Sequence, residues 1–340
     1  LNPIKELGTT HIWFTGIIEH ASQTAYPKYN IEAAPAEIVK GKAGSPYAIK
    51  DYYDVCPDLA DDVSKRMHEF EALIKRTHDA NMKVIIDFVP NHVSRVYRSD
   101  VKPEGILCLG EHDKQSEAFS NKNNYYYIPG QPLHLPNVGM PVQRGVFYEF
   151  PAKVTGNDCF TPHPSLNDWF ETVKLNYGVD YKNGGATHFD PIPDTWYKML
   201  EILLFWSDKN IDGFRCDMAE MVPVEFWEWC IPLVKKNKPE IIFIAEVYQP
   251  SRYRDYIHKG KFDYLYDKVG LYDTLRGVIE DKRSASEITR RWQEIDDIKP
   301  HMLNFLENHD EQRIASKHFA SNPFAAIPAL IVSTCMNGSP

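Results

Sequence analysis

The sequence predicts an α/β fold in which parallel strands alternate with helices, either doubly wound or closed into a (β/α)8 barrel, with a long irregular lobe inserted. Three observations carry this. Short apolar runs recur along the chain, stretches of helical period lie between several of them, and one interval of about a hundred residues has neither pattern.

The first ten residues, LNPIKELGTT, read as the end of a helix leading into a strand. Strand-like runs follow at 11–17, 83–89, 212–218, 241–247, 262–266 and 302–306. Runs such as VIID and IIFIAEV are apolar on both faces, which suits a parallel sheet covered by helices on one side and facing a barrel interior on the other. Val63, Met67, Phe70 and Ile74 recur every three or four residues, as do Trp196, Met199, Leu200, Leu203 and Trp206, so both groups predict amphipathic helices. From His92 to Pro191 the chain is rich in Tyr, Pro, Gly and Asn, as in KNNYYYIPGQP and VDYKNGGATHFDPIPD. This lobe would stand over the end of the sheet where barrel enzymes place their chemistry. The expected division is therefore 1–91 as the first part of the barrel, 92–191 as the lobe and 192–340 as the remainder. A shorter irregular segment at 19–58 follows the first strand, and no internal repeat is found.

Composition narrows the function. Of 340 residues, 43% are apolar and 25% charged, which fits a packed globular chain and not a disordered one. A formal net charge of -9 leaves no basic stripe for phosphates, so nucleic acid is not an expected partner. No apolar stretch is long enough to span a membrane, and the N-terminus lacks a signal-peptide pattern. Compartment and oligomeric state are not readable. The 19 Tyr and 7 Trp would supply flat platforms for sugar rings or simply fill the core. Six cysteines show no CxxC spacing that would mark zinc or a redox centre, and Cys216 reads as a small buried thiol.

The polar residues at the ends of the apolar runs are uniform in type: Asp87, Asn91 and His92; Arg215 and Asp217; Glu246; His309 and Asp310. In a barrel, strand ends converge on one face. A single acid there is ordinarily a cap or an ion-pair partner. Four acidic strand ends with two histidines and an arginine point instead to a carboxylate-lined pocket, because burying several charges without use is costly.

These residues also carry a resemblance. Asp87-Phe88-Val89-Pro90-Asn91-His92, Gly213-Phe214-Arg215-Cys216-Asp217, Ile244-Ala245-Glu246-Val247 and Glu307-Asn308-His309-Asp310 resemble, in order, the four short regions of the α-amylase family, glycoside hydrolase family thirteen. The resemblance implies a TIM barrel whose third, fourth, fifth and seventh strands bear these regions. Thr10 to Ile17 is similar to the second strand, and the lobe is similar to the family's domain B. On that alignment the first and last barrel strands are expected to be absent from this chain. By match, Asp217 would be the nucleophile, Glu246 the general acid/base and Asp310 the transition-state stabiliser. Arg215 would keep Asp217 ionised, while Glu246 must begin protonated to serve the leaving oxygen. His92 and His309 would bind the sugar at the cleavage point, and Tyr47, in Ser45-Pro46-Tyr47, would stack beneath it. A retaining mechanism requires the Asp217 and Glu246 carboxyls about 5 to 5.5 Å apart, against about 6.5 to 9.5 Å for inversion. The implied substrate is an α-glucan such as starch, glycogen or malto-oligosaccharides, handled by hydrolysis or by transfer to another sugar. No cofactor is implied for the chemistry. Asn91 matches a residue that binds structural calcium in many relatives, although an asparagine equally ties a loop through backbone hydrogen bonds.

One departure stands out. After Asp217 the chain runs Met218-Ala219-Glu220-Met221, where many relatives carry Lys-His on the leaving-group side. Val247 after Glu246 resembles enzymes acting on α-1,4 links. The segment TVKLNY at 172–177 resembles a further variable motif near the end of the lobe.

Overall fold

In a computed structural model, residues 1–136 and 147–336 are described; lobe residues 137–146 and the last four residues of the sequence reading lie outside them. Backbone contacts divide the chain into two compact units, Leu1–Asp217 with Leu233–Ile241, and Met218–Pro232 with Ile242–Pro340.

In the first unit the helix Asn2–Glu6 leads into the strand His11–Phe14, as the opening residues predict. That strand pairs in parallel with Lys83–Phe88, which pairs in parallel with Gly213–Cys216. Helices Arg66–Asp79 and Asp194–Ser207 connect or flank these strands. A 3-10 turn, Val63–Lys65, leads into the former; Asp62 caps that turn by accepting Ser64 N–H at 3.0 Å, and Glu69 of the helix accepts the Asp61 and Asp62 amides, both at 2.9 Å. The latter buries Trp196, Met199, Leu203 and Trp206 on one face. Asp212 ties the sheet's edge together, its Oδ2 accepting from Val84 N–H and bonding His78 Nε2, both at 2.7 Å.

The lobe is held by short antiparallel ladders. His92–Ser94 pairs with Thr172–Lys174, Tyr127–Ile128 with Ala152–Lys153, and Val179–Asp180 with Ala186–Thr187. Its small core gathers Tyr126, Ile128, Ala152 and Val154, with Phe119 and Phe160 against them.

The second unit repeats the parallel pattern: Ile242–Ala245 pairs with Tyr264–Tyr266, and that strand with Met302–Leu303. Phe226 and Trp227 are wholly buried in it, and the Trp227 ring meets Phe262 edge-on at 4.8 Å. No helix among the described residues is long and apolar enough to cross a membrane.

Each of the six predicted strands is shorter than its apolar run. The ladder over 212–218 covers only Gly213–Cys216, and that over 302–306 only Met302–Leu303. The runs mark burial, which outlasts the hydrogen-bonded ladder: Val89 and Val247 are wholly buried although both lie outside strands.

Candidate active site

Asp217 follows the last residue of its strand, and its amide still donates to Phe88 O at 2.9 Å. The adjoining strand ends one residue after Asp87, so both acids face the buried Arg215, which is 1% exposed. Arg215 Nη1 donates to Asp217 Oδ1 at 2.7 Å and to Asp87 Oδ1 at 3.3 Å. Two aromatic faces flank the guanidinium, Trp13 at 5.2 Å and Tyr47 at 5.5 Å from ring centre to carbon. Trp13 Nε1 also donates to Asp87 Oδ2 at 3.1 Å. A planar cation shared by two carboxylates and lying against two rings is pre-oriented, and it favours the ionised form of the acid it touches.

His92 is buried beside Trp169, ring centres 5.2 Å apart. Burial, and secondly the charge of Lys174, pull its pKa down to about 3, so its ring is neutral at ordinary pH. A neutral imidazole both donates and accepts, which suits a sugar hydroxyl. Gly156 makes this packing possible, since a Cβ there would sit 2.6 Å from Thr172 Oγ1 and 2.9 Å from His92 Cβ.

Asn91 turns its amide so that Nδ2 donates to Gly156 O at 2.8 Å, while Oδ1 receives Lys174 Nζ at 2.9 Å. The donor set at Asn91 therefore contains a lysine, which offers protons and no lone pair to a metal. These residues do not fit the calcium that the resemblance implied. A separate group of acids, Glu19, Asp51, Asp54 and Asp100, brings ligand oxygens within 4.8 Å of one another. Lys50 lies 2.9 Å from Glu19, and Arg66 grips Asp54 through Nε at 2.8 and 2.9 Å.

In the second unit Glu246 is buried directly after its strand, and both oxygens accept a donor. Met218 N–H reaches Oε2 at 2.7 Å and the Tyr248 hydroxyl reaches Oε1 at 2.6 Å. Met218, which follows Asp217 in sequence, holds a left-handed backbone with φ 43°, an uncommon conformation for a residue with a side chain. Asp310 and His309 occupy an exposed turn, with His309 Nε2 3.3 Å from Asp310 Oδ2. The Asn308 side chain ties that turn by accepting the amides of Asp310 and Glu311, both at 3.0 Å.

The structure thus brings Asp87, Arg215, Asp217, Trp13 and Tyr47 into one cluster, and Asn91, His92 and Lys174 into another. Trp13, Trp169, Lys174 and Tyr248 were not singled out by sequence. Tyr248 had a signal, its place two residues beyond Glu246; the other three show only through contacts distant in the chain. Cys216 is fully buried, as expected of a small core thiol.

What the fold and these clusters define is a partial (β/α)8 barrel with carboxylates at its strand ends. Residues 1–146 match the family Alpha-amylase, described as "Alpha amylase, catalytic domain". An α-amylase of Streptomyces lividans is 26% identical over 345 aligned positions, covering 93% of this chain and 34% of that protein. An alpha-1,4-glucan:maltose-1-phosphate maltosyltransferase of Cereibacter sphaeroides is 35% identical over 102 residues, 26% of this chain and 17% of that one. The solved structure of an alpha-amylase from Lactobacillus plantarum superposes with a TM-score of 0.65 at 22% identity, covering all of this chain and 64% of that one. That likeness establishes the fold. The chain spans less than two thirds of each of these relatives.

Proposed function

We propose that this chain is the catalytic barrel of a retaining glycosidase that cleaves α-1,4-glucosidic bonds in starch, glycogen or malto-oligosaccharides. Asp217 attacks the anomeric carbon while Glu246 gives its proton to the bridging oxygen, leaving a glycosyl-enzyme. Glu246 then takes a proton from water, which releases the sugar with its configuration kept. Asp310 supports the positive charge that develops on the ring, Tyr47 stacks beneath the sugar, and His309 together with the neutral His92 holds its hydroxyls. No cofactor takes part.

The observation that carries this reading is the 2.7 Å pairing of Arg215 with Asp217, which supplies the ionised carboxylate that a nucleophile must be. The donors on Glu246, from Met218 and Tyr248, orient the second carboxyl. Transfer to a sugar acceptor is the second reading, favoured by the similarity to the maltosyltransferase and by the missing Lys-His pair after Asp217. Both outcomes share the intermediate and differ in the acceptor that reaches it.

Incubation with maltoheptaose tests the assignment. Wild type is expected to release α-configured products, and Asp217→Asn to lose turnover on the order of 10⁴-fold or more. Wild-type turnover in the variant, or β-configured products, would remove the retaining mechanism. Predominant elongated products when free glucose or maltose is added would replace hydrolysis by transfer.

A further inference from the structure

The junction between the strand end at Asn91 and the lobe is built around a buried lysine. Lys174 is 2% exposed, on a strand of the lobe that pairs with the strand beginning at His92. Register places Lys174 directly opposite His92, so its side chain extends alongside the Asn91–His92 segment. Its Nζ lies 2.9 Å from Asn91 Oδ1 and 2.6 Å from Asp158 Oδ1, and 5.3 Å from the centre of the Tyr181 ring. Both oxygens are at charge-assisted hydrogen-bond distance from one nitrogen. The amide of Asn91 cannot be turned the other way, because an ammonium only donates and Asn91 Nδ2 is already spent on Gly156 O at 2.8 Å.

We propose that the Lys174 ammonium is the resident cation at Asn91, closing the junction of barrel and lobe without a metal ion.

Donor chemistry and charge both support this. Calcium needs six to eight oxygens at about 2.3–2.6 Å, whereas Asn91 Oδ1 and Asp158 Oδ1 converge on a nitrogen, and Gly156 O is taken by the Asn91 amide. Lys174 and Asp158 already balance one positive with one negative charge. A divalent ion would add two charges beside an ammonium that is already in place, and this is costly. Burial draws Lys174 below the ordinary ammonium value, and Asp158 at 2.6 Å opposes that fall. The Tyr181 face adds a cation–π partner on a third side. The arrangement joins three separate stretches of sequence, at 91, 158 and 174, as a structural metal would, through a group that cannot be chelated away.

Thermal melting of the full chain in calcium and in chelator, for wild type, Lys174→Met and Asp158→Asn, tests the assignment. The shift between calcium and chelator is expected to be the same in wild type and Asp158→Asn, and Lys174→Met is expected to melt roughly 5–10 °C lower in both media. Calcium stabilisation of wild type that Asp158→Asn abolishes would overturn the proposal, and so would a Lys174→Met chain that melts with wild type. If the variants do not fold, wild type alone decides: in crystals grown with calcium, an anomalous peak at coordination distance from Asn91 Oδ1 refutes it, and Nζ density there with no peak upholds it.

Discussion

Arg215 serves two carboxylates and lies against two rings. A lysine in its place carries the charge but is a point donor on a flexible stem, unable to bridge Asp87 and Asp217 while stacking on Trp13 and Tyr47. Arg215→Lys is therefore expected to cost about 100-fold in kcat/KM through a displaced Asp217. It should leave the charge count and the bulk of the core intact. Steady-state kinetics on maltoheptaose check it, and a loss under threefold would show that the geometry of the fork is immaterial. The acids and Arg215 were legible in the sequence because each ends an apolar run, where a polar residue is conspicuous. Trp13 was not, since its bond to Asp87 spans 74 positions and one tryptophan in a strand reads as core. Lys174 was hidden in the same way: TVKLNY shows a strand with a lysine, and nothing in it names Asn91 or Asp158 as partners.

Elements differ in how plainly they announce themselves. The helix Asp194–Ser207 was legible because Trp196, Met199, Leu200, Leu203 and Trp206 repeat at the helical period, and the structure buries four of the five, Leu200 being half-buried. Trp206 illustrates why the period persists: its ring meets Phe70 edge-on at 6.0 Å, and its Nε1 donates to Tyr52 O at 2.7 Å, 154 positions away in the chain. Trp206→Ala removes the ring and leaves that buried carbonyl without its donor, so it should cost about 3–5 kcal/mol. Urea denaturation checks this, and a change below about 1 kcal/mol would mean the site collapses around the loss. The lobe was legible only as irregular. Its ladders are two or three residues long, too short for a period of two to be read, and its order comes from side chains such as Asn124 bonding Lys198 Nζ at 2.8 Å across 74 positions. Strand ends were overestimated for the opposite reason, because apolar sequence continues where the ladder has stopped.

At the scale of the molecule, two buried groups set opposite responses to pH. Asp51 lies among Glu19, Asp54 and Asp100, and burial first, then the charges of Glu19 and Asp54, push its pKa from 3.8 up to about 7. His92 moves the other way, from 6.5 down to about 3, through burial and then Lys174. For Asp51 the folded state holds the proton that the unfolded state has released, so its contribution to stability is full below 3.8 and is lost as pH rises towards 7. For His92 the unfolded state holds the extra proton, so the contribution is full above 6.5 and is lost as pH falls towards 3. Between 3.8 and 6.5 the two slopes oppose each other, each about 1.4 kcal/mol per pH unit at its limit. Wild type should thus be flatter over that window than either single variant. Asp51→Asn leaves His92 unopposed, and its melting midpoint should climb with pH relative to wild type. His92→Gln leaves Asp51 unopposed, and its midpoint should fall with pH over the same range. Melting curves at half-unit intervals of pH read both slopes. Variants whose profiles run parallel to wild type would mean that neither group changes its protonation on unfolding, and slopes of the same sign would mean that one of the two directions is wrong.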